Sequence, residues 1–162
     1  MPRNWVLDAS PIIVLAKIDH LFLLSDLCAE LVVPAGVAQE ISQGREADPA
    51  RRWLQSPGKN LIREVDSIPP MIYAWNLGQG ESEVLAWAYK NPGYEAILDD
   101  RAARNCALAL KIPVRGTIGI ILLAKRQGCL EQVTPLLSQI EMAGYRLAPE
   151  LLAAAKRLAG ED

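Results

Sequence analysis

The sequence predicts an α/β protein built on a parallel sheet, and three observations carry that prediction. Short apolar runs at Trp5-Val6-Leu7, Leu31-Val32-Val33 and Ala96-Ile97-Leu98 have the length and hydrophobicity of strands buried on both faces. Each run is followed by a helix start: Ser10-Pro11, Pro34, and the alanine-rich segment Arg101 to Leu110. The first and third runs also close on acids, Asp8 and the pair Asp99-Asp100. In open α/β sheets the ligand crevice lies beyond the carboxyl ends of the strands, so these acids point at solvent and at whatever binds.

With 162 residues, 51% of them hydrophobic, the chain can fill one core and is too short for two, so residues 1–162 are read as a single domain. A net charge of -2 and a pI near 5.5 exclude the basic footprint of tight, sequence-independent nucleic-acid binding, so nucleic acid would have to be held locally. Cys28, Cys106 and Cys129 are far apart and lack CxxC spacing, which excludes a disulfide framework or zinc ribbon and points to a reducing, cytoplasmic setting. The N-terminus reaches Asp8 before a long apolar run develops, and Pro11 to Leu27 is interrupted by Lys17, Asp19, His20 and Asp26. Neither a signal peptide nor a membrane span is expected. The single histidine, His20, falls in a turn and reads as a surface residue, which excludes histidine-cluster metal sites. The chemistry is carboxylate chemistry or none.

Along the chain, Ser10 is expected to cap a helix from Pro11 to Ile18, leaving Asp8 free of that duty. A second helix runs from Leu21 to Leu27. Pro34 stops the second strand and opens a helix through Ile41, where Val37 and Ile41 share a face with Glu40 beside them. The residues from Gln43 turn polar; Asp48-Pro49 starts a short helix ending near Gln55, and Asn60 to Val65 reads as a strand ended by Pro69-Pro70. Gly78 and Gly80 precede a helix, but no strand runs into them and no Gly-Lys-Ser/Thr follows, so a nucleotide loop is excluded. In that helix Leu85 and Ala88 follow Glu81 at i+4 and i+7, placing Glu81 on the inward stripe and Glu83 elsewhere. A fifth strand is expected around Ile112 to Val114, then Gly116-Thr117 and an apolar helix to Lys125. Helices at Gln132 to Ala143 and Pro149 to Leu158 look like cover or dimer-forming elements, about residues 130–158.

A strand-end Asp can equally be the N-cap of the next helix. For Asp99 and Asp100 the two cannot both cap it, so one acid is surplus. If Asp8 and Asp100 end neighbouring strands while Glu40 and Glu81 come from flanking helices, the carboxylates could converge. At ~5 Å separation and an effective dielectric of ~20, each like-charge pair costs roughly 3 kcal/mol. A divalent cation resolves that repulsion, and hard oxygen ligands without His or Cys suit Mg²⁺ or Mn²⁺. The natural reaction is metal-assisted phosphodiester hydrolysis with water as nucleophile.

The order of Leu7-Asp8-Ala9-Ser10-Pro11, Val33-Pro34 through Glu40, Gly80-Glu81-Ser82-Glu83, Leu98-Asp99-Asp100-Arg101-Ala102-Ala103-Arg104 and Gly116-Thr117-Ile118-Gly119 resembles the PIN-domain ribonucleases. More narrowly, it resembles the bacterial and archaeal branch related to VapC-type toxins, over nearly the whole chain. The resemblance implies a three-layer α/β/α sandwich with a central sheet of about five parallel strands. It implies a metal-dependent endoribonuclease preferring single-stranded RNA, held inactive by a small antitoxin protein and commonly paired as a homodimer. By the same resemblance Asp8, Glu40, Glu81 and Asp100 are the catalytic acids and, with Asp99, the metal ligands. Glu81 stands where many of these domains have Asp, and the Asp99-Asp100 doublet leaves the ligand between them open. Ser10 and Thr117 look like supporting hydroxyls, and Arg101, Arg104 and Arg115 are candidates for contacting RNA.

Two other readings compete. A catalytically silent module of the same fold could use the crevice or the C-terminal helices for a partner; retention of the acids speaks against it. A phospho-receiver fails on placement, because Asp8 stands alone after the first strand and Lys125 lies in a helix.

Overall fold

The computed structural model describes residues 2–45 and 48–162. Its centre is a five-stranded sheet in the order β3-β2-β1-β4-β5, formed by β1 (Asn4–Leu7), β2 (Glu30–Pro34), β3 (Ile62–Arg63), β4 (Tyr94–Ile97) and β5 (Val114–Arg115). Every pairing is parallel, and the middle strand β1 aligns Val6 with Val32 on one side and with Ala96 on the other. Parallel neighbours require crossovers, and helices supply them: the expected three-layer α/β/α architecture is what forms. Trp5, Val6, Leu7, Val33, Ala96, Ile97 and Leu98 are buried, as the uninterrupted apolar runs require of strands covered on both faces.

The helices are α1 (Ala9–Lys17), α2 (Phe22–Leu27), α3 (Ala35–Ser42), α4 (Pro49–Gln55), α5 (Pro70–Tyr73), α6 (Gln79–Lys90), α7 (Arg101–Ala109), α8 (Thr117–Arg126), α9 (Thr134–Met142) and α10 (Pro149–Leu158). One packing group is built on α6, which meets α3, α5, α7 and strands β1, β2 and β4; another is built on α8, which meets α1, α2 and α10. Start signals work as anticipated at Asp48, which accepts the Ala50 N–H at 2.9 Å at the head of α4. The loop expected between Gln43 and Asp48 passes through Glu46 and Ala47, which lie outside the described residues.

Three local expectations are corrected. Ser10 does not cap α1: Asp8 occupies the cap position, although its carboxylate makes no capping bond, and Ser10 lies inside the first turn. The segment expected as a strand from Asn60 to Val65 contributes only Ile62–Arg63, after a 3₁₀ turn at Lys59–Leu61, because it pairs at the sheet edge with Val33 and Pro34 alone. Pro69-Pro70 does not merely end a strand but starts α5, a use of proline at the first helical turn that its fixed φ favours.

The order β3-β2-β1-β4-β5 means that the chain leaves β1 toward β2 and β3, then returns to the other side of β1 for β4 and β5. The reversal point therefore lies between β1 and β4. Ligand crevices of open α/β sheets form at that point, beyond the strand ends. Asp8 follows β1 and Asp99 follows β4, so the topology alone brings these acids together.

Candidate active site

The β1–β4 pairing continues one step past the strands, with Asp8 N–H donating to the Ile97 carbonyl at 3.1 Å. Leu98 N–H is held by the Arg115 carbonyl at 2.9 Å, so β5 fixes the turn that carries Asp99. Beyond these ends lies a crevice of about 450 Å³ lined by Asp8, Ser10, Glu40, Gly78, Glu81, Asp99 and Asp100. Every acid expected from the sequence to act there lines it. Glu40, exposed on α3, and Glu81, half-buried on the first turn of α6, reach it from the helix side.

Gly80 lies where α6 passes close to α3 and to Asp8. A Cβ on residue 80 would stand 3.2 Å from Val37 Cγ2, 3.4 Å from Glu40 Oε1 and 3.6 Å from Asp8 Oδ1. The carboxylates of Glu40 and Asp8 thus border one point above the Gly80 backbone. Only the hydrogen side chain leaves that point open.

The Asp99-Asp100 doublet divides its duties. Asp100 caps α7, its Oδ2 accepting the Ala103 N–H at 3.0 Å. Asp99 serves a different helix: its Oδ1 accepts the Thr117 N–H at 2.8 Å and its Oδ2 accepts the Thr117 hydroxyl at 2.6 Å and the Ser10 hydroxyl at 3.0 Å. The surplus acid is therefore tied to the first residue of α8 and to α1. Thr117 is buried and Ser10 half-buried, so both hydroxyls fix the orientation of a crevice carboxylate.

The crowding shows in the electrostatics. Burial pushes the Asp8 carboxyl up to about 7, with Glu81, Glu40 and Asp99 adding repulsion and the Ala9 backbone N–H pulling the other way. Glu81 is also raised, by burial first and then by Asp100. Among the described residues no lysine or arginine forms an ion pair with the crevice acids; the pairs that form are Arg115–Glu95 and Lys125–Glu161. Nor, among the described residues, is any group of three or more Asp, Glu, His or Cys side chains arranged so that it could hold a metal ion as it stands.

Of the arginines, Arg104 and Arg115 border a neighbouring groove that Asp99 also lines, while Arg101 is exposed at the start of α7. Arg104 Nη1 donates to the Leu98 carbonyl at 3.0 Å and Arg115 Nε to Glu95 Oε1 at 3.0 Å, each leaving most of its donors free. His20 lies apart, its ring against Phe22.

Glu83 is a structural residue that the sequence pattern misses. It is only 7% exposed, accepting the Gly36 N–H at 2.9 Å and the Gln79 side-chain amide at 2.6 Å. Gly36 lies in the first turn of α3, so Glu83 binds that positive helix end to α6. An inward stripe singles out Glu81 only where a helix buries one face. In fact α6 is buried nearly all round, and a stripe carries little information there.

An all-parallel α/β/α sandwich with an acid-lined crevice at its reversal point is the class of protein that fold and site define. The family model described as a PIN domain matches residues 4–161, and the chain belongs to that family. PIN domains are generally nucleases, hydrolases that typically use divalent metals. No curated protein matches the chain.

Proposed function

We propose that this protein is a divalent-metal-dependent endoribonuclease that hydrolyses phosphodiester bonds of single-stranded RNA, and that it is the toxin of a toxin–antitoxin pair. The observation that carries the reading is one crevice lined by Asp8, Glu40, Glu81, Asp99 and Asp100. The donor types suit the cation: the crevice acids offer carboxylate oxygens, the preference of Mg²⁺ and Mn²⁺, and among the described residues no lysine or arginine pairs with them. Asp8, Glu40, Glu81 and Asp100 would hold the ion, with Asp99 as the adjoining acid. Bound there, Mg²⁺ or Mn²⁺ supplies Lewis-acid polarisation of a phosphate oxygen and a water of lowered pKa.

The chain's own residues do the rest. Ser10 and Thr117 keep Asp99 in one orientation, so the carboxylate wall does not rearrange when phosphate enters. Gly80 keeps the floor between Asp8 and Glu40 open. Arg101, Arg104 and Arg115 present guanidinium donors to the phosphates flanking the scissile bond. In this reading a small antitoxin protein occludes the crevice, and α9 and α10 supply a homodimer face.

A second reading, a catalytically silent binding module, draws on one observation: Asp99 and Asp100 each already serve a helix N-terminus. One experiment separates the two. Labelled single-stranded RNA is incubated with the protein in Mg²⁺ or Mn²⁺, beside Asp8→Asn and a chelator control. Cleavage by the wild type that disappears in both controls, with unchanged circular dichroism, supports the nuclease; no cleavage with either ion supports the silent module.

A further inference from the structure

The acid crevice has a neighbouring groove on its Asp99 side. Asp99 also lines the adjoining groove of about 540 Å³ that carries Arg104 and Arg115. That groove shares Arg115, Gly119 and Leu122 with a third depression of about 610 Å³, which ends at Arg126 and Leu158. The three depressions adjoin one another along α8, which runs from Thr117, bonded to Asp99, to Arg126 at the far end. Nine helical steps of ~1.5 Å make that run ~14 Å.

Charge changes sign along the way. The charged residues of the crevice are all acidic, whereas the grooves beyond it are bordered by Arg104, Arg115, Lys125 and Arg126 against Glu95 and Asp99. Lys125 is committed to the Ala159 carbonyl and to Glu161. Arg104 and Arg115 each use one donor within the protein and keep the others, and Arg126 is exposed and forms no ion pair among the described residues. Half-buried Ile118 and Leu122 and exposed Leu158 supply apolar surface between the cations. In a chain of net charge -2, a cationic groove beside an acidic crevice is a local feature with a directional use.

We propose that these grooves form the exit track for the RNA strand on one side of the scissile phosphate, with Arg104, Arg115 and then Arg126 meeting successive phosphates. The inference rests on the nuclease reading and adds to it a path, an end point and a length. At the stacked spacing of ~3.4 Å per nucleotide, about four nucleotides span the ~14 Å from Thr117 to Arg126. An acidic peptide is the competing occupant, and the test treats it as such. Its apolar contacts would suit the leucines, but it would not need proximity to the crevice.

The test uses Arg126→Ala, which lies outside the crevice. Binding of a fluorescent ten-nucleotide RNA is measured against salt in chelator, so that no cleavage intervenes, and cleavage of a dinucleotide substrate is measured in Mn²⁺. Loss of one phosphate contact lowers the slope of log affinity against log salt by ~0.7, which at ~0.15 M salt is an affinity loss of about fourfold. The expected result is that loss for the ten-mer with dinucleotide cleavage unchanged. An identical salt slope and affinity in wild type and variant overturns the track while leaving the nuclease reading intact if the wild type still cleaves. So does an acidic peptide that displaces no RNA yet depends on Arg126. A wild type that neither binds nor cleaves RNA of any length overturns both.

Discussion

Glu83 accepts the Gly36 backbone N–H at 2.9 Å, and that bond holds the first turn of α3 against α6. The two elements so joined carry Glu40 and Glu81, so a buried carboxylate outside the crevice sets the spacing of two inside it. The fit is close: a Cβ on residue 36 would stand 2.6 Å from Glu83 Oε2.

Glu83→Ala leaves the half-buried Gly36 N–H without its acceptor and releases the amide of exposed Gln79. A hydrogen bond to a charged group contributes about 1.5–3 kcal/mol, and the variant is expected to lose stability in that range by urea unfolding. Glu83→Gln retains an acceptor and loses less. Equal losses in both variants would mean that packing, not the bond, is what Glu83 supplies.

Asp8 gives the protein a pH signature. Its carboxyl is raised from an ordinary 3.8 to about 7, so protonation favours the folded state. The stability it contributes is fully present below about 3.8 and is lost as pH rises through about 7. Each pH unit separating the folded and unfolded titration points is equivalent to ~1.4 kcal/mol. In chelator at pH 8, Asp8→Asn is therefore more stable than wild type by on the order of 2–4 kcal/mol, and the advantage vanishes near pH 4. Thermal unfolding across that range checks it; a variant less stable than wild type at pH 8 would contradict it.

Gly80→Ala separates folding from function. The added methyl meets Val37 at 3.2 Å and the carboxylates of Glu40 and Asp8 at 3.4 and 3.6 Å, a small intrusion that the side chains can absorb. Alanine is favoured over glycine in a helix by about 1 kcal/mol, which offsets the crowding. Stability should stay near wild type while RNA cleavage falls about tenfold or more, the scale of a ~1.4 kcal/mol loss in transition-state stabilisation. Unimpaired cleavage would remove the space above Gly80 from the site.

At the other end of the chain, Glu161 accepts from Lys125 Nζ, the Val133 and Thr134 N–H groups and the Thr134 hydroxyl, at 2.7 to 3.0 Å. The Lys125 bond foremost holds its carboxyl down at about 2. Its stabilising contribution is therefore present above the ordinary value of 4.5 and is lost as pH falls toward about 2. Glu161→Gln should loosen α10 selectively, seen as faster hydrogen exchange across Pro149–Leu158 with the sheet unchanged. Exchange that rises uniformly would place Glu161 in the global fold instead.

Much of the fold is legible in the sequence because it is local. Strands buried on both faces betray themselves by unbroken apolar runs, and Pro34 and Asp48-Pro49 mark their helices without help from the rest of the chain. The start of α1 is harder, because Ser10-Pro11 is the stronger local signal; the pairing of Asp8 N–H with the distant Ile97 carbonyl brings the helix start forward to Asp8. The same limit hides the role of Asp99. That a surplus acid needs a reason can be read from the doublet, but not that the reason is the N–H of Thr117 on another helix. Glu83 is invisible for a third cause, since its partner Gly36 is reached only when α3 and α6 pack.

The central proposal is that the crevice acids together hold a hard divalent cation. Mn²⁺ titration of the folded protein, followed by calorimetry, tests it most directly. Saturable uptake by the wild type that weakens at least tenfold in Asp8→Asn, and is insensitive to Glu161→Gln, is the predicted result. No uptake by the wild type, or equal affinity in Asp8→Asn, would contradict it.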